Sequence, residues 1–153
     1  MPAETAPNAR HLQRDLLALA FLAFNAFLVV SLLTSNPADP AGALTHPAAD
    51  SFANACGRLG AYVARYLLEG LGWGAYFLAI SSLVLNFFLL TRRNISEPNL
   101  RLVGWLLTLW GLCTLAAMAF TDWSPGAVIG PGGYLGAAGR GLLEMFFARA
   151  GAY

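Results

Sequence analysis

The chain contains no lysine; its nine cations are all arginines, set against eight acidic residues for a formal net charge of +1. That balance offers no basic stripe able to track a phosphate backbone, so no direct nucleic-acid contact is expected from this stretch. Charge of either sign is scarce, at 11% of residues against 58% hydrophobic, whereas an ordinary soluble domain is about one quarter charged. Such a composition belongs in a bilayer. Cys56 and Cys113 form no C-x-x-C pair, and His11 and His46 lie far from both. No metal-ligand spacing results, so neither a metal nor a cofactor is expected, and both cysteines read as small apolar packing residues. With no Ser/His/Asp set and no paired carboxylates, no catalytic residue is expected either.

What is abundant is uninterrupted apolar sequence. Between Asp15 and Asp39 no charge occurs for 23 residues, and two further uncharged runs cover residues 70–91 and 102–121. About 20 apolar residues cross a hydrocarbon core of about 30 Å. The runs therefore predict three spans, about 16–34, 72–91 and 102–121, in a membrane domain of residues 16–153 behind a tail of residues 1–15. A cleaved signal peptide is the competing reading of the first run, since Arg10 and Arg14 precede it and Ala41-Gly42-Ala43 follows. Signal h-regions, however, extend over only about 7–15 residues. The spans contain no Asp, Glu, Lys, Arg or His, and ionisable groups at that depth are the usual mark of ion pathways. Ion-coupled transport is thus disfavoured. Asn25 and Asn86 fall within spans, where they serve as interhelical hydrogen-bonding groups or, in the minority reading, line a substrate site.

The short link "TRRNISEPNLR" carries Arg92, Arg93 and Arg101, and the tail carries Arg10 and Arg14. The two longer connecting segments hold four arginines between them. The positive-inside rule therefore places the N-terminus and the link in the cytoplasm, with Arg92, Arg93 and Arg101 setting the topology. Trp73, Trp105 and Trp123 fall near span ends, as interfacial aromatics do.

The two outer segments resemble one another. "LGAYVARYLLEGLGWGAY" ends at Tyr76 and "LGAAGRGLLEMFFARAGAY" at Tyr153, and both read LGA, Arg-x-Leu-Leu-Glu, GAY, with small differences in spacing. The first span exits in "TSNPADP" and the third in "TDWSPGA", polar proline-bearing stretches that cannot continue a helix. Each half thus reads span, proline turn, outer helix, GAY, with the outer helices at about 51–70 and 133–149. The first GAY opens the second span, and the second is expected to open a fourth.

In the first outer segment Leu59, Val63, Tyr66, Leu67 and Leu71 recur at helical spacing, with Arg58, Arg65 and Glu69 displaced to another side. The i,i+4 pairs Arg65/Glu69 and Arg140/Glu144 are each worth about 0.2–0.5 kcal/mol on an exposed helix. They read either as a docking surface or as charge neutralisation on an interfacial helix. The glycine cluster "GAVIGPGGYLG" is not a phosphate loop, because no lysine follows and no strand–helix unit surrounds it. It is expected to be a turn into the second outer helix. Small-xxx-small spacings at Gly70/Gly74, Gly126/Gly130 and Gly132/Gly136 are expected by chance among 16 glycines. The fold class expected is all-α integral membrane. Its helical bundle has three complete transmembrane helices plus two outer-side interfacial or re-entrant helices, as two span–turn–helix–span repeats with the last span missing.

The order first span, "SNPADP", "ACGRLGAYVARYLLEGLGWGAY", second span, arginine-bearing link, third span and "GPGGYLGAAGRGLLEMFF" resembles the N-terminal four-span membrane domain of the FtsK/SpoIIIE family of bacterial DNA translocases. The most specific elements are the exit at Ser35, Asn36, Pro37, Asp39 and Pro40, and the run Asn54, Gly57, Gly60, Ala61. The resemblance implies a domain that anchors a linker and a hexameric ATP-driven motor in the cytoplasmic membrane at the division septum. It also implies contacts with the bilayer and other division proteins, and homo-oligomerisation through a motor that these 153 residues lack. The structural or interaction candidates are Pro37, Asp39, Pro40, Arg65, Glu69, Arg140 and Glu144. A small oligomeric channel or transporter subunit is the competing reading of function.

Overall fold

The computed structural model describes residues 9–41, 50–91, 97–120 and 129–151, apart from the side chains of residues 9–11, 14 and 148–151. These residues form five helices, α1 (Ala9–Leu33), α2 (Gly57–Leu71), α3 (Gly74–Leu90), α4 (Pro98–Ala119) and α5 (Gly133–Gly151), and no strand. The all-helical expectation holds at that level. α1 begins at Ala9, ahead of the first apolar run, and ends at Leu33, one residue short of the expected span.

α1 and α4 are each long and apolar enough to cross a membrane on their own, whereas α2 and α3 form a pair bent by 111° that gives a third crossing only if counted as one span. α3 has 17 residues, about 26 Å at 1.5 Å rise, slightly short of a hydrocarbon core of about 30 Å. Among the described residues, two helices, or up to three if the bent pair is one span, are long and apolar enough to cross.

The chain breaks where its backbone chemistry requires. α1 ends as Thr34 donates through both N and Oγ1 to the Val30 carbonyl. Asn36 Oδ1 then accepts from Ala38 N at 3.0 Å, an Asx turn, while Pro37 bars further helix. α2 closes with Gly72 N donating to Leu68 O at 2.8 Å, and α3 opens with Ala75 N donating to Gly72 O at 3.1 Å. Pro98 occupies the first turn of α4, where its missing N–H costs nothing.

α1 and α3 pack antiparallel. Asn25 joins them by donating to Ser82 O at 3.5 Å and accepting from Ser82 Oγ, and Asn86 does so by donating to Ala18 O at 3.0 Å. Both asparagines are buried, so packing is the reading of them that the geometry favours. The apolar core of this half consists of Leu28, Leu32, Ala64, Leu68, Ala75 and Ala79, bringing α2 against α1 and α3. α5 lies close along α4, since side chains at Gly132 and Gly136 would collide with the Cys113 carbonyl and Ala117. The Gly132/Gly136 spacing thus serves packing within the chain. Outward-facing residues of α1, α3 and α4 are largely apolar, for example Leu17 at 70% exposure and Phe87 at 64%, the side chains a bilayer would cover.

Candidate interaction site at the elbow end

Helix α2 carries three faces. Gly60, Ala61, Ala64 and Leu68 turn inward, so its protein-facing side is built from small residues. Leu59 and Tyr66, two of the residues at the expected apolar spacing, are exposed at 67% and 68%, while Val63, Leu67 and Leu71 are half-buried. The stripe is therefore divided: Leu67 and Leu71 pack against the core, and Leu59 and Tyr66 face outward, as suits a helix whose apolar side meets lipid. The third face carries Arg65 and Glu69, joined from Arg65 Nε to Glu69 Oε1 at 2.7 Å.

Arg65 reaches further than its helix spacing implied. Its Nη1 donates to the Ala41 carbonyl at 2.5 Å, tying α2 to the loop after α1. The same loop is held by Asp39, which is buried and accepts from Ala53 N at 2.7 Å through Oδ1. Pro37 and Pro40 bracket it and are exposed. Ala55 N donates to Thr34 Oγ1 at 3.1 Å. Asn54, also buried, donates to Ser31 O at 2.9 Å and accepts from Cys56 N at 2.9 Å. Asp39 and Arg65 thus belong to one latch that seats the loop after α1, with Pro37 and Pro40 exposed on that loop. Thr34 and Ser31 are members with no sequence signal beyond their proximity to the proline exit.

The second arginine–glutamate pair, Arg140 Nε to Glu144 Oε1 at 2.8 Å, repeats the arrangement on α5. Arg140 Nη1 donates to Ala117 O at 3.4 Å, in the last turn of α4. Carbonyls there lack intrahelical partners, and the helix dipole favours a cation beside them. Side-chain exposure is 33% for Arg65, 19% for Glu69, 29% for Arg140 and 31% for Glu144. They are partly shielded and partly open, so their energetic weight stays at the few tenths of a kcal/mol typical of i,i+4 pairs. Of the topology residues, Arg92 and Arg93 lie outside the described residues, and Arg101 is exposed on the first turn of α4.

Between the latches the two elbows interlock. Trp73 N donates to Pro131 O at 2.8 Å, and Cys113 Sγ lies 3.3 Å from Leu71 O. Of the glycine cluster, the described part is a turn leading into α5, closed by Gly133 N donating to Gly130 O at 3.1 Å. An apolar groove of about 430 Å³ between α3 and α4 is lined by Trp73, Phe77, Leu112, Leu115 and Phe120 among others. Its lining is almost wholly apolar. Among the described residues no group of three His, Cys, Asp or Glu is placed to hold a metal.

The latch makes a direct prediction. Asp39→Asn keeps an oxygen for the Ala53 N–H and should shift the unfolding midpoint in detergent little. Asp39→Leu orphans that N–H, and because Ala53 is exposed the loss should fall at the low end of about 1–3 kcal/mol. Equal shifts for both variants would show that the hydrogen bond does not hold the loop.

Comparison with known proteins adds identity to this geometry. A family model described as the 4TM region of DNA translocase FtsK/SpoIIIE matches residues 10–153. The chain is 35% identical over 104 residues to the DNA translocase FtsK of Azospirillum brasilense, covering 67% of this chain and 16% of that protein. It is 33% identical over 115 residues to the DNA translocase FtsK of Vibrio vulnificus (strain CMCP6), covering 69% of this chain and 12% of that protein. The chain therefore spans less than a fifth of the length of these relatives. No solved structure matches it.

Proposed function

The chain belongs to the FtsK/SpoIIIE family of DNA translocases, as its four-transmembrane region, and from that premise we propose that it is the membrane anchor and protein-interaction domain of a septal translocase serving cell division and chromosome segregation. The observation that carries this reading is the family match, which extends over residues 10–153 of an all-helical, apolar fold. In this reading the 153 residues perform no catalysis themselves. Their work is positional. The helices fix the protein in the cytoplasmic membrane, and a motor elsewhere in the full-length protein does the pumping and brings the copies together as a hexamer.

The arginine-bearing tail and link would lie in the cytoplasm, and the elbow end with its two latches would face outward. There the exposed Tyr66, Tyr134 and Phe146 would meet the outer leaflet or other division proteins. The matching Arg–Glu pairs on α2 and α5, each arginine with a further bond to a backbone carbonyl, Ala41 in the loop after α1 and Ala117 in the last turn of α4, support a two-repeat organisation. In it α4 and α5 echo α1 and α2, and a further span would echo α3.

The test is localisation in dividing cells. A fluorescent fusion of the full-length protein should form a band at midcell, and the same fusion lacking residues 1–153 should lose it. A band that survives the deletion would place septal targeting elsewhere in the protein.

A further inference from the structure

Arg58 stands in the first turn of α2, where its own helix disfavours a cation. That turn carries no acidic residue, and the N-cap, Cys56, makes no side-chain cap bond. The partial positive charge of the helix end therefore repels Arg58 and attracts an anion. The acids of α2 and α5 are engaged elsewhere, Glu69 with Arg65 and Glu144 with Arg140. On the loops before α2, Asp39 is bonded to Ala53 N, and Asp50 is exposed and not paired with Arg58. Two positive groups thus share one exposed spot with no counter-ion among the described residues.

The arginine is nevertheless held in place. Its guanidinium lies 5.7 Å from the centre of the Phe52 ring, within the range of a cation–π contact, and the Phe52 and Tyr62 rings pack with centroids 6.4 Å apart. Tyr62 stands four residues after Arg58 and so falls on the same face of α2. Both residues are exposed, and neither the guanidinium nor the phenol hydroxyl has a hydrogen-bond partner among the described residues. Two donors one turn apart, one of them a planar fork that matches phosphate oxygens, suit a phosphodiester. Their neighbours indicate its source. Leu59 and Tyr66, 67% and 68% exposed on the same helix, supply an apolar flank that a soluble anion does not need and a lipid surface does.

We propose that Arg58 and Tyr62, braced by Phe52, form a binding site for the phosphate of an anionic phospholipid in the outer leaflet. The inference rests on the reading above that turns the elbow end outward. Arg58 donates to the phosphate oxygens as a fork and Tyr62 donates through its hydroxyl, while Leu59 and Tyr66 lie against the adjoining lipid. A headgroup without a cation fits best, because the ammonium of a zwitterionic lipid would meet both Arg58 and the positive helix end. The lipid completes a charge balance that the chain leaves open.

Native mass spectrometry of the full-length protein, released from detergent containing equal phosphatidylglycerol and phosphatidylethanolamine, tests the site. The wild type is expected to retain phosphatidylglycerol preferentially. Arg58→Gln should lower that retention roughly tenfold, as loss of a charged hydrogen-bonding partner does. Tyr62→Phe keeps the ring against Phe52 and should lower it about threefold. Arg101→Gln removes the same charge from the first turn of α4 and should change it little. Equal losses at Arg58 and Arg101, or retention unchanged by Arg58→Gln, would overturn the site. Displacement of the lipid by millimolar inorganic phosphate would give the two donors to soluble anions and overturn the lipid assignment. Orientation is tested apart, by labelling Asp50→Cys with an impermeant maleimide in spheroplasts, Cys56 and Cys113 being replaced by alanine. Labelling only after lysis would overturn the outward reading and the outer leaflet as the source, while the retention series still decides the phosphate site.

Discussion

Gly72→Ala is expected to destabilise the chain by about 2–6 kcal/mol, a large share of the roughly 5–15 kcal/mol that holds a typical fold. Two independent costs add. Gly72 adopts φ 56° and ψ −125°, a conformation essentially reserved for glycine, and forcing an L side chain into it costs about 1–3 kcal/mol. A Cβ there would also be driven into the Pro131 carbonyl and against Gly133 N, and overpacking of a close contact costs about 1–3 kcal/mol. The clash is positioned to break the Trp73 N to Pro131 O bond that locks the two elbows together. Gly57→Ala is the matched control, because Gly57 has φ 64° but nothing within 4 Å of the added atom. It should lose only the backbone share, about 1 kcal/mol. Denaturant midpoints of the two variants in one detergent decide the matter. Equal shifts would mean that the elbows tolerate separation, and the interlock would lose its structural meaning.

The elements best marked in the sequence were those set by local chemistry. Uncharged runs mark α1 and α4, and the break at Gly72, in Gly-Trp-Gly, falls at the expected start of the second span. The Arg-x-Leu-Leu-Glu spacing yields both ion pairs at 2.7 and 2.8 Å, because i,i+4 geometry needs only a helix. What the sequence could not mark depends on elements brought together from far apart. The bonds from Arg65 to Ala41 and from Arg140 to Ala117 link residues 24 and 23 positions apart. The Trp73 to Pro131 contact joins two separate elbows. Asp39 is legible as a candidate from its place between two prolines, but its burial at 4% exposure and its bond from Ala53 N, 14 positions on, are not. The bulky apolar stripe of α2 is similar. Periodicity groups these residues, but only packing against α1 and α3 separates Leu67 and Leu71, turned toward the core, from Leu59 and Tyr66, turned away from it.

Asn25→Asp, a substitution that barely changes shape, is expected to be as damaging as the glycine variant and for a different reason. Asn25 is fully buried within α1, its Nδ2 donating to Phe21 O at 3.0 Å and to Ser82 O at 3.5 Å. Replacing that amide nitrogen with a carboxylate oxygen sets an acceptor against two acceptors and places a charge inside the span. A central aspartate costs about 2.5–3.5 kcal/mol on insertion scales. Asn25→Leu removes the same bonds without adding charge, and hydrogen bonds of this kind between membrane helices average only about 0.6 kcal/mol, with a maximum near 1.7. Ser82 would also remain satisfied, since its hydroxyl donates to Ala79 O at 2.9 Å as well. The expected order is therefore a mild loss for leucine and a severe one for aspartate, read as detergent unfolding midpoints and as the amount of chain recovered in the membrane fraction. The comparison also separates the two functional readings. A positional anchor needs a dry α1–α3 seam and predicts the large gap between variants. A channel or transporter would admit water beside Asn25 and let the aspartate ionise at little cost, so near-equal behaviour of the two variants would count directly against the anchor.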